Sequence, residues 1–132
     1  MTVALCIIAL TGMPCPAHGG HATPLPARGG HANIVIETNV DKGRRLAERA
    51  GWIGQQWRCL YALWNRESGW QTRDPNPTSD ADGIPQANPA SKMGEGWEND
   101  PEQQISWGLR YIRGRYGSPC AAYAHSNAHN YY

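Results

Sequence analysis

Residues 55–70 read Gln-Gln-Trp-Arg-Cys-Leu-Tyr-Ala-Leu-Trp-Asn-Arg-Glu-Ser-Gly-Trp. Trp57, Leu60, Tyr61 and Trp64 fall at i, i+3, i+4 and i+7, which places them on one face of a helix, and Leu63 widens that stripe. Gly54 or Gln55 opens the helix. It should end near Ser68-Gly69, with Gly69 as the C-cap, because glycine takes the left-handed conformation without a Cβ clash. This helix is expected to be the central and most buried one. Its last turn sets one carboxylate, Glu67, between Trp64 and Trp70. Aromatic walls and the negative end of the helix dipole both disfavour a charged carboxylate, so Glu67 should hold its proton toward neutral pH. A protonated carboxyl is what cleavage of a glycosidic bond requires. The ordinary alternative is a solvated helix-end carboxylate paired with Arg66 or Arg73.

The flanking elements follow by the same reasoning. Asp41 reads as an N-cap, and the helix after it stops at Gly51. Residues 71–91 carry Pro75, Pro77, Pro85 and Pro89 among Asn, Asp and Ser, which is loop rather than regular structure. Asp100 caps the next helix with Pro101 at N1, and Gln103 gives a capping-box-like pattern. Ile105, Leu109, Ile112 and Tyr116 form its apolar stripe, flanked by Trp107 and Tyr111. Arg110, Arg113 and Arg115 lie near its C-terminal end, where cations suit the dipole; contact with an anionic polymer is the alternative. Gly117 stops it, and Ser118-Pro119 starts a last helix running to about Asn127. The fold class is therefore mainly α.

The chain has 132 residues and a formal net charge of +1, which gives room for one sizeable core and points to neither nucleic acid nor a membrane surface. It holds six Trp, six Tyr and no Phe. Trp and Tyr pair a flat apolar face with a polar edge, which suits sugar rings as well as a core. Val3 to Met13 is an apolar run of signal-peptide length, too short to span a bilayer. No Lys or Arg precedes Arg28. Three readings stay open: a start lying upstream, atypical export, or a run that is not a signal. Residues 1–22 are taken as the signal-like segment and 23–40 as a linker poor in large apolar residues, with Gly-Gly-His-Ala at 19–22 and 29–32. Ile34-Val35-Ile36 is a β-prone island within it, either an edge strand or linker docking on the domain. The domain itself is taken as 41–132. His18, His21 and His31 have no Cys or carboxylate cluster beside them, so no metal and no cofactor are expected. In an exported chain Cys59 and Cys120 should pair, while in the cytosol they would be buried thiols.

From Gly51 to Tyr132 the chain resembles the lysozyme-like lytic transglycosylase domains secreted by high-GC Gram-positive bacteria. These are related to soluble lytic transglycosylases and, more distantly, to resuscitation-promoting factors and goose-type lysozymes. The resemblance rests on ordered blocks: Gly51-Trp52, Gln56-Trp57, Cys59-Leu60, Leu63-Trp64, Arg66-Glu67-Ser68-Gly69-Trp70, Gly83-Ile84-Pro85-Gln86, Ser91-Lys92-Met93, Gln104-Ile105, Trp107-Gly108-Leu109, Tyr111-Ile112, Arg115 to Cys120, and His125-Ser126. Asp82 stands where a Tyr commonly precedes the Gly-Ile-Pro-Gln block, Tyr123 where Trp is frequent, and Asn130-Tyr131-Tyr132 where Gly-Trp-Tyr is usual; these positions are expected to line the cleft or close the fold.

The resemblance implies a small lysozyme-like helical domain with one disulfide and a Pro-rich loop forming one side of a cleft. It implies cleavage of the β-1,4 bond between N-acetylmuramic acid and N-acetylglucosamine, with Glu67 as acid and then base. The base step activates the sugar's 6-hydroxyl in a transglycosylase or water in a muramidase. A non-catalytic glycan-binding module on the same fold is the alternative from another class. Ser68, Trp70, Gln86, Tyr123 and His125 are the implied glycan contacts, with Glu67, Gln86 and Tyr123 converging on one groove; the alternatives are a helix-end cap or an orienting group for Glu67 at Ser68, core packing near the disulfide for Tyr123, and a structural histidine at 125. Asp74, Asp80 and Asp82 are the candidates for a second carboxylate, although loop Asp residues are usually turn formers. Trp97 is either a sugar platform or a loop anchor. The partner implied is the peptidoglycan glycan strand, met outside the cell by a monomer with no obligate protein partner.

Overall fold

The computed structural model describes residues 35–132. The expectations for the apolar run and the Gly-Gly-His-Ala repeats, that Cys6 and Cys15 are not part of the mature protein, and that residues 1–33 make few contacts with the domain lie outside the described residues. Of the β-prone island, Val35 and Ile36 are irregular and exposed rather than strand.

Helices α1 (Asn39–Arg49), α2 (Gln55–Ser68), α3 (Pro101–Tyr116) and α4 (Pro119–His129) make up the domain, with 3-10 turns at Ala90–Met93 and Trp97–Asn99. Among the described residues there is no strand, only an isolated bridge between Asp82 and Ala87. The fold is therefore mainly α. α2 opens at Gln55 and closes on Gly69 at φ 59°, as its sequence requires. α1 begins earlier than expected. Thr38 is its N-cap, and Asp41 is the N3 partner of a capping box: Asp41 N–H donates to Thr38 Oγ1 at 3.1 Å, and Thr38 N–H to Asp41 Oδ2 at 3.1 Å. Asp41 can close this box because Thr38 stands three residues before it. α3 shows the reverse correction. Asp100 caps Gln103 N–H, but the Gln103 side chain donates to Met93 O and Glu95 O instead of turning back to the cap.

α2 packs along α4, and α1 along α3. Leu60, Leu63, Trp64, Ile84, Ile105 and Ile112 are fully buried in the shared core. Tyr61, expected on the buried stripe, is 42% exposed at its edge, since the stripe centres on Leu60, Leu63 and Trp64. Arg113 lies in the last turn of α3 as expected, and its guanidinium also lies 4.7 Å from the Trp52 ring centroid and donates to Ala50 O at 2.6 Å, tying α3 to the end of α1. Cys59 and Cys120 form a disulfide with Cα atoms 4.9 Å apart, joining α2 to the start of α4.

The long loop 71–100 is held to the helices by buried amide chemistry. Gln104, with no exposure, accepts from Ile84 N–H at 2.8 Å and donates to Thr72 O at 2.9 Å and Trp97 O at 2.8 Å. Gly83, at φ 81°, is required beside it: a Cβ there would stand 2.7 Å from Gln104 Oε1. Gly108 lets α3 approach α2. A Cβ there would meet Trp64 Cζ2 at 2.6 Å and Pro85 Cβ at 3.0 Å, both on rigid rings. Gly108→Ala should therefore destabilise. Overpacking costs about 1–3 kcal/mol, which outweighs the gain of up to about 1 kcal/mol from alanine's helix propensity. A urea midpoint equal to or above wild type would contradict this packing.

Candidate active site

Glu67 sits on the last turn of α2, half-buried. It lines a pocket of about 380 Å³ with Asn76, Ala81, Gln86, Asn88, Asn130, Tyr131 and Tyr132. A second pocket, of about 160 Å³, is lined by Pro85, Gln86, Ala87, Asn88, Lys92, Trp107, Tyr111 and Tyr132. Gln86, Asn88 and Tyr132 belong to both, so these are two neighbouring lobes, one acidic and one aromatic. In the aromatic lobe Trp107 and Tyr111 stack with ring centroids 5.2 Å apart and planes 8° from parallel.

Each wall has a local cause. Ser68 Oγ donates to Ile84 O at 2.9 Å and so fastens the end of α2 to the loop. Gln86 takes a left-handed φ of 52°, a strained choice for a residue with a Cβ. Its amide Nε2 donates to Asp74 O at 2.7 Å and Gly83 O at 3.2 Å, which holds that conformation. Asn130, at φ 62°, ends α4 in the left-handed region and turns the chain toward the lobes. Arg66 stays on it, donating to Asn130 Oδ1 at 2.9 Å and Asn127 Oδ1 at 3.1 Å. Tyr132 closes the arrangement. Trp64 Nε1–H donates to its hydroxyl oxygen at 2.8 Å, and the hydroxyl donates to Pro85 O at 2.7 Å.

Burial raises the Glu67 pKa above the ordinary carboxylate range, and the neighbouring Arg66 charge opposes it. Burial also pushes the Tyr132 hydroxyl well up, helped by the Glu67 charge. The raised Glu67 value has a signed consequence. The folded state holds this proton more tightly than the unfolded chain. Stability from Glu67 is thus complete below the unfolded pKa and is lost as pH rises through the folded one. Glu67→Gln should flatten that fall, so the variant matches or exceeds wild-type stability toward neutral pH. Urea midpoints of both proteins from about pH 4 to 8 check this; a variant losing stability relative to wild type as pH rises would reverse the sign.

The remaining residues named from sequence do not gather around Glu67. Trp70 is 4% exposed and faces away. Left-handed φ values at Gly69 (59°) and Trp70 (63°) reverse the chain and lay the indole against Trp57, Tyr61 and Trp64. Gly43 of α1 makes room for it, since a Cβ there would stand 2.2 Å from Trp70 Cζ3. Trp70 is thus a core residue and not a wall of the Glu67 lobe. Ser68, 4% exposed, is closed to a ligand. Tyr123 packs against the main core and lines neither lobe; Tyr131 and Tyr132 occupy the place expected of it. The reason is that α4 turns its Tyr123 face inward and delivers tyrosines only after its left-handed end. His125 also lines neither lobe. Its Nδ1 bonds Tyr131 O at 2.9 Å, bracing the wall from behind.

Among the loop acids, Asp82 is engaged by Arg73 Nε at 3.1 Å and by the N–H groups of Asp74 at 2.7 Å and Gly83 at 2.6 Å. Trp97 is buried with Ala87, Ala90 and Met93, which makes it a loop anchor. Sequence reasoning missed Asn76 and Asn88 as lining residues, whereas Asn130, Tyr131 and Tyr132, expected to line the cleft or close the fold, all line the Glu67 lobe. The left-handed tendency of Asn after a helix was the available signal for Asn130.

Among the described residues no group of three or more His, Cys, Asp or Glu is placed to hold a metal ion. No helix there is long and apolar enough to cross a membrane. In comparisons with protein-family models, curated proteins and solved structures, nothing matches this chain.

Proposed function

We propose that this chain is a peptidoglycan-cleaving enzyme with a lysozyme-like fold, acting on the β-1,4 bond between N-acetylmuramic acid and N-acetylglucosamine. The observation that carries the reading is Glu67: a partly buried carboxyl, raised in pKa by that burial, facing a lobe continuous with an aromatic one. The ordered block resemblance from Gly51 to Tyr132 supports it. In this reading the Pro-rich loop, through Pro85 to Asn88, is one side of a cleft. The glycan lies across both lobes, one sugar face on Trp107 and Tyr111.

Protonated Glu67 gives its proton to the glycosidic oxygen as the bond to the anomeric carbon breaks. The carboxylate then takes a proton from the attacking hydroxyl. Asp82 has its oxygens committed to Arg73 and two backbone N–H groups, and neither Asp74 nor Asp80 lines the Glu67 lobe, so Glu67 is the one carboxyl among its lining residues. That departs from the paired-carboxylate pattern. It favours the transglycosylase outcome, in which the muramyl 6-hydroxyl attacks and a 1,6-anhydro end forms. The substrate lies outside the cytoplasm, and the Cys59–Cys120 disulfide is compatible with an extracellular or wall-associated protein. Neither a cofactor nor a second protein has a role in this scheme.

Mass analysis of fragments released from purified sacculi tests the reading, because anhydro and reducing ends differ by one water. Anhydro-muramyl ends are expected. Reducing ends would make the enzyme a muramidase, and binding to sacculi without release would leave the non-catalytic glycan-binding module.

A further inference from the structure

Among the residues that line the two lobes, two are of charged type: Glu67 in the acidic lobe and Lys92 in the aromatic one. Lys92 is exposed on the 3-10 turn Ala90–Met93, whose Ala90 and Met93 are buried and whose Met93 carbonyl accepts from Gln103 Nε2 at 2.8 Å. The turn is thus anchored on either side of the lysine. Lys92 Nζ donates to Asn88 O at 2.6 Å, and Asn88 lines both lobes. Neither an ion pair nor an aromatic ring accounts for this cation. The salt bridges among the described residues belong to Arg44, Arg45 and Arg73, and the cations seated over rings are Arg73, Arg113 and Arg115. An ammonium has three N–H donors, and the bond to Asn88 uses one of them. The others remain for a ligand in the lobe that holds the Trp107–Tyr111 stack.

We propose that Lys92 is a specificity residue: it binds a carboxylate on the branch that muramic acid carries, so that the cleft prefers an acidic glycan to a neutral one. The inference rests on the peptidoglycan reading above and names the part of that polymer the aromatic lobe selects. N-acetylglucosamine is neutral. The carboxylates of the polymer belong to the lactyl group of muramic acid or, where that group is joined to a stem peptide, to the peptide. Both sources offer one chemistry, an anionic oxygen pair on a flexible branch at the edge of a sugar ring. A sugar face on Trp107 or Tyr111 leaves that edge free to meet the ammonium. A lysine suits such a branch because it is a compact charge on a flexible stem and demands no fixed geometry. A charge at the rim of a cleft acts more on the choice of ligand than on raw affinity.

Calorimetric binding of soluble glycan strands tests this, on the Glu67→Gln background so that the strands stay intact. The strands carry stem peptides, or lactyl carboxylates alone after enzymatic removal of the peptides, or methylamides in place of every carboxylate. With Lys92 present, an acidic strand should bind about threefold tighter than the methylamide strand, in keeping with an exposed ion pair. That margin should shrink as salt is raised. Lys92→Gln should erase it by weakening the acidic strands alone, and Lys92→Arg should retain it. A margin that survives peptide removal assigns the lactyl carboxylate, and one lost with the peptides assigns the stem. Initial rates of the wild type on the same strands should follow the same order. Equal affinity for acidic and methylamide strands overturns the proposal. An equal loss on every strand in Lys92→Gln also overturns it, because that marks a loop-holding role through Asn88. Release from sacculi without the margin overturns the role of Lys92 alone, whereas the margin without release overturns cleavage alone. Binding to none of the strands overturns both.

Discussion

Glu67→Gln is expected to abolish glycan release while leaving the domain folded. The amide matches the carboxyl in size and can still hydrogen-bond, but it has no acidic proton to give. Proton transfer by a positioned side chain contributes about 10²–10⁴-fold to a rate. Here one carboxyl serves as acid and then as base, so the loss should reach at least the upper end of that range. Glu67 has no side-chain partner among the bonds that hold α2 to its neighbours; those fall to Ser68, Arg66 and Trp64. Folding should therefore be unaffected. Release of muropeptides by the variant at even a tenth of the wild-type rate would remove Glu67 from the reaction.

The second large effect is on stability. Replacing Cys59 and Cys120 together by Ser should cost about 4 kcal/mol on the chain-entropy account of a loop this long. The sequence separation is 61. The bond also joins α2 to α4, the two helices that carry Glu67 and the tyrosine segment beside it, so loosening it acts on the site as well. Near that end Cys120 N–H also donates to Gln56 Oε1 at 3.1 Å. A domain of this size rarely has more than about 5–15 kcal/mol in hand, so the double variant should unfold at much lower urea. A midpoint within error of wild type would mean that helix packing alone holds α4 in place.

The comparison of sequence and structure divides along a physical line. α2, its glycine cap, the Asp100–Pro101 start of α3 and the irregular loop between them were legible, because periodicity, capping and proline act within a few residues. The reading of Glu67 as a partly desolvated helix-end carboxyl came from the same local signals. The start of α1 went astray by three residues because Asp41 suits both N-cap and N3, and Thr38 decided which.

What the local sequence could not supply was direction in space. Trp70 stands three residues from Glu67 in the chain, yet two successive left-handed residues turn it into the core. Tyr132 is distant in sequence and arrives at the Glu67 lobe because Asn130 turns the chain there. Gln104 gave no sign of its role, since a buried amide that bonds Thr72, Ile84 and Trp97 is defined only once those three carbonyl and N–H groups meet. The sequence by itself determined the helices, their caps and the chemistry available at the end of α2. Only the tertiary structure decided which aromatics face that carboxyl, because facing depends on how separate elements turn and pack, and no short-range rule carries that information.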